Sequence, residues 1–484
     1  MFHQRMIGAF TILALTAAVF LLWSSGCTVL GEEEYVYYGV VPHKIRYMYL
    51  RSRGQLYDPA EWILDYETNS SYLSIVASRN NTSVRIYTLP DERLVSKAEL
   101  DAMEKHFVTL SNGSRFKVVS NNLVFVLLLS GNPPTADSFE GPLPAGFYTS
   151  TDGGYVGKEF IFMASQGLSG APYRILALEP SEVTIYEESG DVYASFSLRA
   201  NEFKTLAFKA FRVYRVVSTG NLMIQSDRPE GGGDAACYNE RTFYLPSPEG
   251  GFYGRIFYSW SVESWDTRAS YGFRISSSED AKVTVWDARF NRKLQEFTVK
   301  GGVGASVKPK ADEIMIESDK PITVALIHNG SLESGRTNEG SYGAGVYYIG
   351  VKANEETPFF IPTNASFEAY IFAYEDSVVN IDDVTIKIHA DSYFQITTPG
   401  NHKVLSDKDI VIQVIHWPAF PPGQGIQSFG VVVPCIQRVN AKPNVTLTPL
   451  RSEGDQSTTY IIAGAILLLV ITVGVILMKR RSLG

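Results

Sequence analysis

Catalysis and metal binding need particular side chains at particular spacings, and this chain offers few such sets. Its seven histidines, His3, His43, His106, His328, His389, His402 and His416, lie far apart, with no second His or Cys at zinc-site spacing. Serine is plentiful, but no Gly-x-Ser-x-Gly elbow occurs, and Gly167-Leu168-Ser169-Gly170 reads as a loop. Gly231-Gly232-Gly233-Asp234 and Gly301-Gly302-Val303-Gly304 lack the lysine and following helix of a phosphate cradle. Glu375, Asp376, Asp382 and Asp383 supply oxygens without the order of a calcium loop and read as a solvated turn. No catalytic residue, metal ligand or cofactor is therefore expected, and the chain is read as not an enzyme.

What remains is contact chemistry. Trp260 and Trp265, with Tyr253 and Tyr258, form an aromatic cluster in the YSWSVESWD region. Exposed on a β scaffold, such rings stack on sugar faces or anchor a protein partner; turned inward, they fill a core. The charge balance narrows the partners. The net charge is −8, and setting aside the terminal cations Arg5, Lys479, Arg480 and Arg481 leaves about −12, a surface that repels nucleic acid.

The two ends place the protein. Tyr460 to Met478 is an uncharged run followed at once by Lys479-Arg480-Arg481. About nineteen apolar residues cross a hydrocarbon core as a helix, and the basic triplet keeps its end cytoplasmic. Residues 1–31 read as a signal peptide, with the alternatives of an uncleaved anchor or a lipidated Cys27. The expectation is a single-pass type I cell-membrane protein with its bulk outside. Asn69, Asn80, Asn81, Asn112, Asn329, Asn364 and Asn444 are then candidate N-glycosylation sites. Cys237 and Cys435 become a candidate disulfide, with two buried thiols as the alternative.

Between the ends the chain repeats itself. A V-x-[IV] strand recurs at Val84, Val183, Val283 and Val379, at steps of about 99, 100 and 96 residues. A second element, two apolar strands flanking a polar turn, recurs at Ser120, Ser218, Ser318 and Ser406. The composition, with 27 Tyr, 27 Phe and 40 Gly, suits strands and turns. We read an all-β fold of four tandem repeats of about 100 residues. Each is a two-layer sandwich, or the four form a closed propeller-like ring, with one C-terminal transmembrane helix besides.

The repeats are placed at 32–138, 139–236, 237–345 and 346–440, then a polar stalk at 441–459, the helix at 460–478 and a tail at 479–484. The first repeat carries a helical insert at 96–107, opened by a Ser96/Glu99 capping box. An aromatic-then-Pro piece recurs in YYGVVP, FYLPSP, FFIPTN and FGVVVP. The last copy, ending at Pro434, is a spare opening strand that either completes the fourth repeat or pairs back to Val40-Val41 in a ring.

The IESDKPITV segment from Ile316, with its upstream turn and V-x-[IV] strand, resembles repeats in the amino-terminal domain family of IgGFc-binding proteins. That resemblance implies extracellular binding or adhesion and brings no catalytic residues. Function is thus expected to be adhesion, cell-envelope structure or binding of an extracellular protein or glycan. The competing reading is a membrane-tethered, carbohydrate-active hydrolase on a β-ring.

Overall fold

The computed structural model describes residues 34–50, 62–67, 70–131, 133, 146–164, 171–209, 211–226, 242–260, 270–329, 345–362, 366–417, 426–427 and 430–447. Every regular element among them is a β-strand. The apolar 460–478 run lies outside them, and no helix among the described residues is long and apolar enough to cross a membrane.

The stretch 146–226 shows how the strands are arranged. A long strand, Val213–Ser226, serves two sheets. Its first half pairs with Gly157–Met163 and Ser181–Glu187, its second half with Gly146–Tyr148 and Ala171–Ala177. Val192–Leu198 and Phe203–Phe208 complete the two sheets at their outer edges. Alternation turns one side of each strand inward, and the two inner faces meet in one aromatic cluster. Phe162 stacks on Tyr173 of the other sheet at 5.4 Å, and Phe208 lies 4.4 Å from Tyr214, ring centre to ring centre.

The same strand order appears in 242–329 around Glu313–Asn329. In 345–417 the long strand is split into Gly400–Ser406 and Ile410–Trp417, and in 35–130 into Arg115–Ser120 and Val124–Ser130. The register is common to all four stretches. Val84 lies opposite Ser120, Val183 opposite Ser218, Val283 opposite Ser318 and Val379 opposite Ser406. All four valines are fully buried.

In the first stretch one inner strand comes from the far end of the chain. Gly430–Val432 pairs with Val124–Ser130, where Gly146–Tyr148, Thr242–Tyr244 and Gly345–Val351 stand in the other stretches. These four inner strands touch in a closed cycle, Gly430–Val432 meeting both Gly146–Tyr148 and Gly345–Val351. The spare strand therefore completes the first stretch. It pairs neither with the fourth nor with Val40-Val41. It also follows that the aromatic-Pro pieces are of two kinds: FYLPSP and FGVVVP carry inner strands, whereas YYGVVP and FFIPTN carry the strands beside them.

Equivalent side chains join each stretch to the next. Ser74 reaches the sulfur of Met163, Arg174 pairs with Glu313 at 3.0 Å, and Arg274 bonds Asn401 and lies over Phe360. At the return contact, Gln413 clasps the Val40 backbone, donating to its carbonyl at 2.9 Å and accepting from its N–H at 2.6 Å.

The helix expected at 96–107 is absent. Arg93–Leu100 is an edge strand on Thr82–Leu89, with Ser96 opposite Ile86 and Glu99 opposite Ser83. Ser96 bonds His106 instead of capping a helix. The helix-forming run Lys97-Ala98-Glu99-Leu100 is overridden by open ladder positions on its neighbour, and its charges suit an exposed edge.

His416 is fully buried on the strand Ile410–Trp417, edge-on to Tyr347, and neither ring nitrogen has a hydrogen-bond partner. Burial disfavours the charged ring and pulls its pKa down to about 3. The unfolded chain takes up this proton near the ordinary histidine value, while the folded chain refuses it until about 3. Stability from this group is thus intact above about pH 6.5 and falls by about 1.4 kcal/mol per pH unit below it. Urea unfolding from pH 7 to 4 should show His416→Phe losing less stability than the parent by this slope; parallel profiles would refute the assignment.

Candidate functional site

The most elaborate place on the molecule is where the chain leaves it. After Gly430–Val432 the backbone crosses to the first stretch. Val433 donates to the Val126 carbonyl, Cys435 bridges Tyr37, and Ile436 donates to the Val36 carbonyl. A tight turn follows, with the N–H groups of Arg438 and Val439 on the Cys435 carbonyl. Val439 and Ile436 are fully enclosed.

Glycines open the way for this tail. A β-carbon at Gly250, whose φ is +105°, would stand 2.8 Å from the Ala441 carbonyl oxygen and 2.9 Å from Lys442 Cα. One at Gly153 would meet the Arg438 side chain at 2.6 Å, and one at Gly350 would run into Val439. Gly153 and Gly250 sit in equivalent loops. Ser150 donates its N–H to Gly154 and Ser247 to Gly251, and each loop closes again through the glycine N–H onto the serine carbonyl. The tail thus lies across loops of the second and third stretches and against the strand Gly345–Val351 of the fourth. It continues to Asn444, whose carbonyl accepts from Asn221.

Two cavities remain beside it. One of about 220 Å³ lies between the Asp152 loop, the Ser247 loop and Arg438. The other, of about 230 Å³, lies between Tyr253, Lys352, Glu355 and Asn440, and Lys442 borders both.

The sequence-selected residues are dispersed relative to this place. Tyr253 lines the second cavity, half-buried, with its hydroxyl pKa raised by burial. Tyr258 is buried core, bonded through its hydroxyl to Asn201, so it is no surface contact. The backbone of Trp260 ends the strand Gly254–Trp260; its side chain, and all of Trp265, lie outside the described residues.

Cys435 carries a free thiol that donates to Gln437 Oε1, and burial pushes its pKa up to about 12. Cys435, one half of the disulfide expected with Cys237, is enclosed against Tyr37. Cys237 lies outside the described residues. Among the sequons, Asn80, Asn81 and Asn444 are exposed and Asn112 is half-buried; Asn69, Asn364 and the Asn329 side chain are not described.

The polar stalk begins later than its composition suggests. Asn440 is nine-tenths buried, and Val445 and Leu447 pack on the core. The Gly-Gly loops were visible in the sequence, but only as turns. Nothing in the composition of 440–447 distinguishes a seated tail from a free one.

No protein-family model matches this chain, and no curated protein does. Among solved structures, a quercetin 2,3-dioxygenase from Acinetobacter baumannii aligns with TM-score 0.18 and 11% identity over 63% of this chain and 79% of that one. A bacterial pirin from Escherichia coli in complex with nickel(II) aligns with TM-score 0.18 and 10% identity over 61% and 92%. The expectation that the chain is not an enzyme is withdrawn on this finding, since the neighbours are a dioxygenase and a nickel-bound protein. Likenesses this slight transfer neither activity to the chain.

The seating of the tail is open to test. Gly250→Ala should cost about 2–4 kcal/mol, because left-handed backbone strain is joined by a backbone clash. Gly190→Ala, with φ +87° and open space around it, should cost only the strain, about 1 kcal/mol. Gly250→Ala alone should speed proteolytic cutting after residue 433; equal behaviour of the two variants would contradict the seating.

Proposed function

We propose that the chain is a single-pass surface protein whose ectodomain, four copies of one β unit closed into a ring, contacts an extracellular protein or glycan. Four observations of register support the repeat: each V-x-[IV] valine lies opposite its own serine at one position of one strand order. The cycle of inner strands supports the ring.

The single observation that carries the functional reading is the course of the tail. It leads from the closing strand across one mouth of the ring toward the apolar run at 460–478, the proposed membrane anchor. On this reading the plugged mouth faces the membrane. Gly254 lines the cavity beside the tail, and the Trp260 backbone stands at the other end of the same strand, about 20 Å away at strand rise. The far end of this strand is thereby directed away from the membrane, where a partner would meet it. The resemblance of IESDKPITV to the repeats of IgGFc-binding proteins agrees with an extracellular contact role.

Protease added to intact cells should remove most of the chain and leave a small membrane-bound fragment containing 460–484. A protected ectodomain would overturn the topology, and with it the glycosylation of Asn80, Asn81 and Asn444.

A further inference from the structure

We propose that the 230 Å³ cavity beside the tail is a binding site for an acidic sugar unit, a pyranose ring bearing a carboxylate. The inference rests on the seated tail and not on the membrane reading.

Three cations border the cavity, Arg255, Lys352 and Lys442. Arg255 is satisfied by Glu249, through its N–H at 2.5 Å and its guanidinium at 3.4 Å. Lys352 and Lys442 have no ion-pair partner among the described residues, and Glu355 is the single unpaired acid on the wall. Two free ammonium groups against one free carboxylate make this a locally positive recess in a chain of net charge −8. A ligand carboxylate is the complement that yields charge-assisted hydrogen bonds there.

A second observation points to a polar ligand. Asn440 is only 9% exposed, and its Nδ2 has no hydrogen-bond partner. A buried amide donor left unpaired is costly, and a ligand oxygen, admitted by a small side-chain shift, would satisfy it. The third is the wall itself. Tyr253 presents a half-buried ring, and Pro321 adds apolar surface. An aromatic wall, an amide and paired cations in a space of one monosaccharide read a ring face, a hydroxyl and a carboxylate together.

The probes are glucuronate, glucose and acetate, offered to the purified full-length chain in detergent micelles and followed by ligand-detected NMR. Glucuronate should bind at least about tenfold more tightly than glucose or acetate, as loss of one charged hydrogen-bonded group or of the ring contact would produce. Lys442→Gln and Lys352→Gln should each weaken glucuronate by about tenfold without moving the unfolding temperature. Binding of all three probes alike, no binding of glucuronate, or variants that bind glucuronate as the parent does would each overturn the proposal. None of these outcomes bears on protease topology, so the two readings fail separately.

Discussion

The structure depends on a three-residue ladder, Gly430–Val432 on Leu127–Leu129, between segments about three hundred residues apart. Without it Val124–Ser130, paired on its other side with Ser70–Ala77, would present an open inner edge. Closing so long a loop costs about 5 kcal/mol of chain entropy. The closing segment buries Val431, Val432, Val433, Ile436 and Val439 almost completely, about 8 kcal/mol even at the low end for such side chains. Burial wins, but only because the strand brings the tail with it. Strand and plug act as one clasp.

The clasp explains why the loops beneath the tail are glycine-rich. A segment that lies this close needs positions without a β-carbon beneath it: Gly250 faces the tail's backbone at Ala441 and Lys442, while Gly153 and Gly350 leave room for the Arg438 and Val439 side chains. The same crossing leaves the cavity beside Lys442, between the tail and the third and fourth stretches. The proposed binding site and the closure therefore meet in one place: two of the groups proposed to bind a ligand, Asn440 and Lys442, belong to the segment that completes the fold.

Much of the β architecture was legible because strand pairing is periodic. The valine spacing and the serine spacing were read separately, and they turn out to be two sides of one ladder, Val84 facing Ser120 and its three counterparts. The helix at 96–107 was misread because Lys97, Ala98 and Glu99 favour a helix locally, while the edge of Thr82–Leu89 offers hydrogen bonds that no local rule contains. The closing strand was recognised as spare, yet its partner was not, since three apolar residues fit many edges and only three-dimensional order selects Val124–Ser130. The tail could not be read at all. Polar residues with prolines compose both a free stalk and a seated strap, and the difference lies in glycines two hundred residues earlier. Within the contact cluster, Tyr258 and Tyr253 are only five residues apart, yet one is core and the other cavity wall, a division that spacing does not reveal.

The closure itself is most directly tested by a cysteine pair at Leu128 and Val431, which lie opposite each other in the ladder. Directly paired residues of antiparallel strands have α-carbons about 4.5–5.5 Å apart, within reach of a disulfide. Mild oxidation of the folded Leu128→Cys/Val431→Cys chain should yield, on non-reducing peptide mapping, a cross-linked peptide joining 128 to 431. Two separate alkylatable thiols in a chain that is otherwise folded would contradict the closed ring.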